Sequence, residues 1–206
     1  MGRRQTYERP DVLRAATALF QAQGFHGVSV EDIISDTGLN RFAIYEKFGG
    51  KEGLFYDTLD FYLDVIIRQQ LLGPLRQDNA SLDVVLDRLR IMQHINQDGS
   101  RRSGCLIVNA NIELGGTDPR VTAAVESLVS AFRAALTHAL RCSERRGELA
   151  PGRSVPERAE HLVTQIQAFF ALAYISRTTA AALMASLIED VAGWRAFQNA
   201  RSGSGR

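Results

Sequence analysis

Apolar residues recur at helical spacing along most of this chain, and the runs are separated by Gly, Pro, Asn and Ser clusters. Val12, Ala16, Leu19 and Phe20 share one face and predict a first helix from Asp11 to Gln23, with Gly24 as its stop. Ser29 followed by Asp32 is a short-armed capping box, and Val28 and Ile33 stand at hydrophobic-staple positions. A second helix therefore starts at Ser29 and ends near Thr37. Gly38-Leu39-Asn40 is a three-residue turn. Asn40 is a strong N-cap for a short third helix, Arg41 to Phe48, which Gly49-Gly50 stop. A long helix is expected from Lys51 to about Leu72, striped by Leu54, Thr58, Phe61 and Val65 and ended by Gly73-Pro74.

The remainder continues in the same way. Leu82, Val85, Leu89 and Met92 predict a helix from Leu82 to Gln97, broken at Asp98-Gly99-Ser100. A short apolar helix over Gly104 to Leu114 ends at Gly115-Gly116. Asp118-Pro119 read as an N-cap and a first-turn proline, opening a helix to about Arg146 through Val121, Val125, Leu128, Phe132 and Leu136. Ser154 and Glu157 form a second capping box, ahead of a helix through Leu162, Ile166, Phe169, Phe170 and Ala173. A last helix, about Ala180 to Phe197, follows a break at Arg177-Thr178-Thr179. Strand signals are scarce. The expectation is an all-α chain: a three-helix head over residues 1–50, a helical body over 51–200, and a flexible tail over 201–206.

Two short helices joined by a tight Gly-containing turn, with a supporting helix ahead, are the helix-turn-helix pattern. In that arrangement the Ser29 helix crosses the DNA backbone and the Asn40 helix lies in the major groove. The first turn of the latter offers Arg41, Phe42 and Ala43 to base edges. Arg reads guanine with two hydrogen bonds, and Phe or Ala touches a thymine methyl. Tyr45, Lys47 and Lys51 are spaced to reach phosphates, as are the N–H groups at the Ser29 and Lys51 helix starts. Arg3 and Arg4 are candidates for a minor-groove arm.

Charge adds little. Formal net charge is +1, and residues 1–56 carry seven basic and seven acidic side chains, so non-specific affinity and its salt slope should be modest. No apolar run is long enough for a membrane span, and the first residues lack the apolar stretch of a secretory signal, so a cytoplasmic protein is expected. Two cysteines in 206 residues do not make a disulfide framework. There is no phosphate-cradling Gly loop, nucleophile elbow or His-Glu metal motif, and His94, His138 and His161 lack ligand spacing. An enzyme is not expected, nor a cofactor.

The stretch from Val12 to Leu54, VLRAATALFQAQGFHGVSVEDIISDTGLNRFAIYEKFGGKEGL, resembles the DNA-binding head of TetR/AcrR-family transcriptional regulators. The matching pieces are Gly24-Phe25, the Ser29 cap, Thr37-Gly38-Leu39-Asn40, and Tyr45, Phe48, Lys51 and Glu52. The resemblance implies a nine-helix homodimer on a palindromic operator. It also implies a ligand-binding body and pairing through the last two helices, with a small molecule releasing DNA. Two departures stand out. Glu46 stands where the family often has His or a neutral residue, and a carboxylate there suits a cytosine amino group rather than a phosphate. Gly50 replaces a polar cap before Lys51-Glu52.

In the body, Gly104-Cys105-Leu106 is similar to the electrophile-responsive, NemR-like branch of the family. With Ser103 as cap, Cys105 would lie in a first helical turn beside Arg101 and Arg102, which favours thiolate and reactivity. The alternative is an ordinary packing cysteine; Cys142, late in a long helix among Arg141 and Arg145, reads as a surface or packing residue. Met92, Asn109, Phe132, Phe169 and Tyr174 are candidate pocket residues, with Asn111, Glu113, Gln165 and Gln167 as further polar positions. A redox-sensing repressor acting through Cys105, or a DNA-binding protein without any ligand, are the competing functions.

Overall fold

The computed structural model describes residues 7–97 and 104–196. Among these it is helical throughout, with nine helices: α1 (Arg9–Gly27), α2 (Val30–Thr37), α3 (Arg41–Phe48), α4 (Lys51–Phe61, continued to Leu71), α5 (Leu82–Gln97), α6 (Leu106–Leu114), α7 (Pro119–Arg145), α8 (Val155–Ile175) and α9 (Arg177–Ala192). No strand occurs among the described residues, only an isolated bridge between Leu149 and Arg195. Arg3, Arg4, Asp98 to Ser103, Phe197 and the 201–206 tail lie outside the described residues.

The head closes around Val12, Ala16, Leu19, Phe20, Ile33, Leu39 and Ile44, all nearly inaccessible to solvent. Burial of each large side chain contributes about 1.5–3 kcal/mol. The staple residues Val28 and Ile33 are both buried, as the pattern predicts. Phe20 of α1 meets Phe55 of α4 edge-on, with centroids 5.1 Å apart. This pair carries the apolar core from head to body without a gap. Phe132 and Phe170 continue it at 6.1 Å between α7 and α8.

The structure departs from the periodicity in four places. Gly24 breaks α1 as expected, at φ 75° and ψ 173°, but one more turn follows through Gly27. The reason lies in α6, described below. The long α4 is α-helical only to Phe61. From Tyr62 to Leu71 its turns widen, with Leu72 N–H bonding to the Ile67 carbonyl in an i→i+5 pattern at 2.8 Å. An apolar stripe at four-residue spacing fits both helix types, so periodicity does not separate them. The break between α8 and α9 falls at Ser176, not at residues 177–179, because the Ser176 hydroxyl accepts the Thr179 N–H at 3.3 Å. Finally, α9 ends at Ala192. The chain beyond it pairs with residues 148–150, through Ala150 N–H to the Trp194 carbonyl and Ala196 N–H to Glu148, both at 2.8 Å.

Candidate DNA-binding head and effector cavity

The turn between α2 and α3 is built by local hydrogen bonds. Ser29 and Asp32 cap α2 reciprocally: the Asp32 N–H reaches the Ser29 hydroxyl at 3.1 Å, and the Ser29 N–H reaches the Asp32 carboxylate at 2.8 Å. These bonds, the Ser29 hydroxyl's first, hold the Asp32 carboxyl below its usual range. Gly38 ends α2 in the left-handed region at φ 70°. The Asn40 side chain accepts the Ala43 N–H at 2.8 Å and starts α3. A cap of this kind contributes about 0.5–2 kcal/mol.

Within α3, Ala43, Ile44 and Phe48 face the core, and Arg41, Phe42, Tyr45, Glu46 and Lys47 face outward. Phe42 is 73% exposed and Tyr45 55%, unusual for aromatic side chains with no partner to cover them. Arg41 makes an ion pair with Glu31 of α2. The expectation for Ala43 is corrected: its first-turn position points inward, packed under the head and 6% exposed, so its methyl is not offered to a base.

Lys51, at the start of α4, sits over the Phe25 ring at 4.6 Å. Burial lowers its pKa, while Glu113 and Asp32 favour its charge. Gly50 looks like a poor cap, but it occupies φ 104°, where a side chain would be strained, and an added Cβ would meet the Tyr45 ring at 3.3 Å.

Behind the head lies a cavity of about 410 Å³, within the range of small-molecule sites. Four helices line it. Thr17 and Gln21 come from α1, Tyr62, Ile66 and Gln70 from the widened part of α4, Arg88 and Met92 from α5, and Phe169 and Phe170 from α8. Met92 and Phe169 are therefore at the cavity, as the sequence suggests. Phe132 stands behind Phe170, away from the lining, and Tyr174 is not in the wall. Asn109 is 3% exposed, with no hydrogen-bond partner at either amide atom among the described residues. It backs Gly104, whose φ of 127° leaves space that a Cβ would take from the Asn109 oxygen. None of Asn111, Glu113, Gln165 or Gln167 lines the cavity.

The burial of Cys105 weighs against the thiolate expectation, whose Arg101, Arg102 and Ser103 lie outside the described residues. Cys105 is itself the residue before the first turn of α6, at φ −79° and ψ 126°, and is fully buried. Burial pushes its thiol up, more than the bonds from Val108, Tyr62 and Ile107 bring it down. Cys142 is also buried and free.

Sequence reading missed the contacts that join head to body. Glu113 of α6 accepts the Phe25 N–H at 2.7 Å. The Gln21 amide donates to the Gly104 carbonyl at 3.0 Å. Tyr56 of α4 donates to Asp118 at 2.6 Å, under the Arg120 guanidinium. No helix is long and apolar enough to cross a membrane among the described residues, and no cluster of three or more His, Cys, Asp or Glu is placed to hold a metal.

Residues 12–57 match the profile of bacterial regulatory proteins of the tetR family, and residues 85–187 match the tetracyclin repressor-like C-terminal domain. The chain belongs to the TetR family. It is similar to the HTH-type transcriptional regulator YezE of Bacillus subtilis, 27% identical over 152 residues, 72% of this chain and 76% of that protein. It is also similar to the HTH-type transcriptional repressor ComR of Escherichia coli, 25% identical over 166 residues, 81% of this chain and 79% of that one. Reduced NemR of Escherichia coli shares the TetR fold at a TM-score of 0.76, with 19% identity, covering 92% of this chain and 98% of that one. The protein is thus a TetR-family DNA-binding transcriptional regulator, and its relatives are regulators rather than enzymes.

Proposed function

We propose that this TetR-family regulator is a ligand-responsive repressor that binds a near-palindromic operator as a homodimer and is released by a small molecule in the α1–α4–α5–α8 cavity. One observation carries the reading: the cavity wall includes Thr17 and Gln21 of α1, part of the DNA-binding head. A ligand there touches the head directly, so its affinity can differ between the DNA-bound and released arrangements, as a shift in equilibrium requires. The outward face of α3, with Arg41, Phe42, Tyr45, Glu46 and Lys47, supports major-groove reading. Ser29, Asn40 and Lys51 position that face and offer phosphate contacts. Repression is supported by the similarity to ComR, a repressor by name.

Dimerisation through α8 and α9 is supported by Leu172, Leu183 and Ile188, which remain half-buried on the paired helices, and by Ile175, which is exposed. Helices apolar on more than one face bury the second face against a partner. A two-fold dimer places half-sites about one turn, roughly 34–36 Å, or a multiple apart. The complete burial of Cys105 does not favour a redox reading.

The test is a gel shift on the promoter upstream of the protein's own gene, with light scattering on the same sample. A two-fold footprint, a dimer mass at micromolar concentration and loss of the shift with a compound that raises the melting temperature are expected. A monomer at that concentration, or DNA binding unmoved by every stabilising compound, would overturn the dimeric or the ligand-responsive part respectively.

A further inference from the structure

The cavity wall contains a single charged side chain among the described residues, Arg88 of α5, and no carboxylate. One terminal nitrogen of Arg88 meets Asp87 at 3.2 Å, with Asp87 itself largely in solvent. The Arg88 Nε is different. It is buried and has no hydrogen-bond acceptor among the described residues. A buried donor without a partner is unfavourable, and more so on a charged group. A guanidinium presents its donors as a flat fork that matches a carboxylate in two parallel bonds.

The other polar side chains on the wall, Thr17, Gln21, Tyr62 and Gln70, are neutral. Thr17 directs its hydroxyl proton to the Leu13 carbonyl at 2.7 Å, and Gln21 directs its amide N–H to the Gly104 carbonyl. Thr17 is thereby left with acceptor lone pairs only, and Gln21 with its carbonyl oxygen and one neutral N–H, a weaker donor to a carboxylate than a guanidinium. The rest of the wall is largely apolar, including Ile66, Ile91, Met92 and Phe169. A phosphate monoester fits poorly, since its second charge would be desolvated without a second cation.

We propose that the effector is a small monocarboxylate with an apolar body, a medium-chain fatty acid or an arylalkanoate, whose carboxylate is held by Arg88 in the α1–α4–α5–α8 cavity. The assignment rests on the ligand-responsive reading above and names the chemistry of its ligand.

The test uses the full chain, isothermal titration calorimetry, and two acid–amide pairs: octanoate with octanamide, and 4-phenylbutyrate with its primary amide. The acids are expected to bind saturably, with the amides roughly tenfold or more weaker, the size of a lost charge-assisted hydrogen bond. Arg88→Met keeps the apolar stem and is expected to remove the preference, so that acid and amide bind alike; Arg88→Lys is expected to keep part of it. Should Arg88→Met not fold, Arg88→Gln and the wild-type acid–amide ratio decide. Equal binding of acid and amide to the wild type, an unchanged ratio in the Arg88 variants, or no binding by either acid would each overturn the assignment. Fluorescence anisotropy of operator DNA separates this from the broader reading. Release by neutral compounds alone would sink the carboxylate and leave ligand response standing. Arg88-dependent acid binding with no effect on DNA would keep the carboxylate site and sink ligand response.

Discussion

Glu113 of α6 accepts the Phe25 backbone N–H at 2.7 Å and so fastens the body to the turn that closes α1. The same oxygen lies 3.4 Å from the His26 N–H. Gly24 makes the approach feasible: a Cβ there would fall 1.6 Å from the Glu113 carboxylate, and φ at that residue is +75°. Gly24→Ala is therefore expected to destabilise by about 1–2 kcal/mol from backbone conformation alone, with the collision added to it. Glu113→Ala should remove about 1–3 kcal/mol by leaving the Phe25 N–H unpaired. Because the two residues meet, the double variant should lose less than the sum. Thermal melts of the four proteins check this, with about 2–4 °C expected per kcal/mol. Strict additivity would mean that the carboxylate and the Gly24 turn do not act together.

Arg41 and Lys51 should separate by sequence dependence. Arg41 stands in the first turn of α3, paired with Glu31 and exposed. Arg41→Ala is expected to weaken operator binding by about 1–3 kcal/mol and to relax preference at one base pair. Lys51→Met keeps the packing on Phe25 but removes the charge. It should weaken all DNA alike and lower the salt slope by about one. Anisotropy titrations at several salt concentrations, on operator and scrambled DNA, distinguish the two.

Burial raises the Cys105 thiol, so the native protein should react slowly with a disulfide reagent at neutral pH. Both cysteines are expected to label only on unfolding, and Cys105→Ser should leave operator affinity unchanged. Rapid labelling of native protein, mapped to Cys105 by mass spectrometry, would reinstate it as a sensor.

Asp118 caps α7 and accepts the Tyr56 hydroxyl. Burial tends to raise its pKa, but the bonds from Tyr56, Val121 and Arg120 outweigh that, and the folded value lies below the ordinary 3.8. A depressed carboxyl contributes stability that is full above the unfolded pKa and is lost as pH falls through the folded one. Wild type should therefore lose melting temperature faster than Asp118→Asn as pH drops below about 4. Parallel curves would remove Asp118 from the acid response.

What was legible in the sequence is what neighbours encode. The Ser29–Asp32 box, the Asn40 cap, Gly38 and the Asp118-Pro119 start each act within about four residues, so a local reading places α2, α3 and α7 well. Apolar spacing put Met92 and Phe169 on inward helix faces but did not tell core from cavity wall. The contacts hidden from it join residues far apart: Phe25 to Glu113, Gln21 to Gly104, Tyr56 to Asp118. Cys105 shows the limit. Its immediate neighbours argue for thiolate, while burial of the thiol pushes the other way. Ala43 has the right position in its turn and the wrong direction. Arg88 sits in an ordinary Asp-Arg-Leu-Arg run, and only the fold places it in a cavity wall.

The widened turns of α4 have a mechanical consequence. The segment that walls the cavity, Tyr62 onward, is covalently continuous with the helix that begins at Lys51, just after α3. Those eleven residues of rise span about 16 Å at ~1.5 Å each. On the reading proposed above they form a lever, with the cavity at one end and Lys51 at the other. A tilt of about ten degrees at the cavity end displaces Lys51 by roughly 3 Å over that length. That is about the length of one hydrogen bond, ~2.9 Å. If the proposed ligand response and the Lys51 phosphate contact both hold, a small ligand has no need to remodel the head: leaning on its shaft would be enough to carry that contact out of reach.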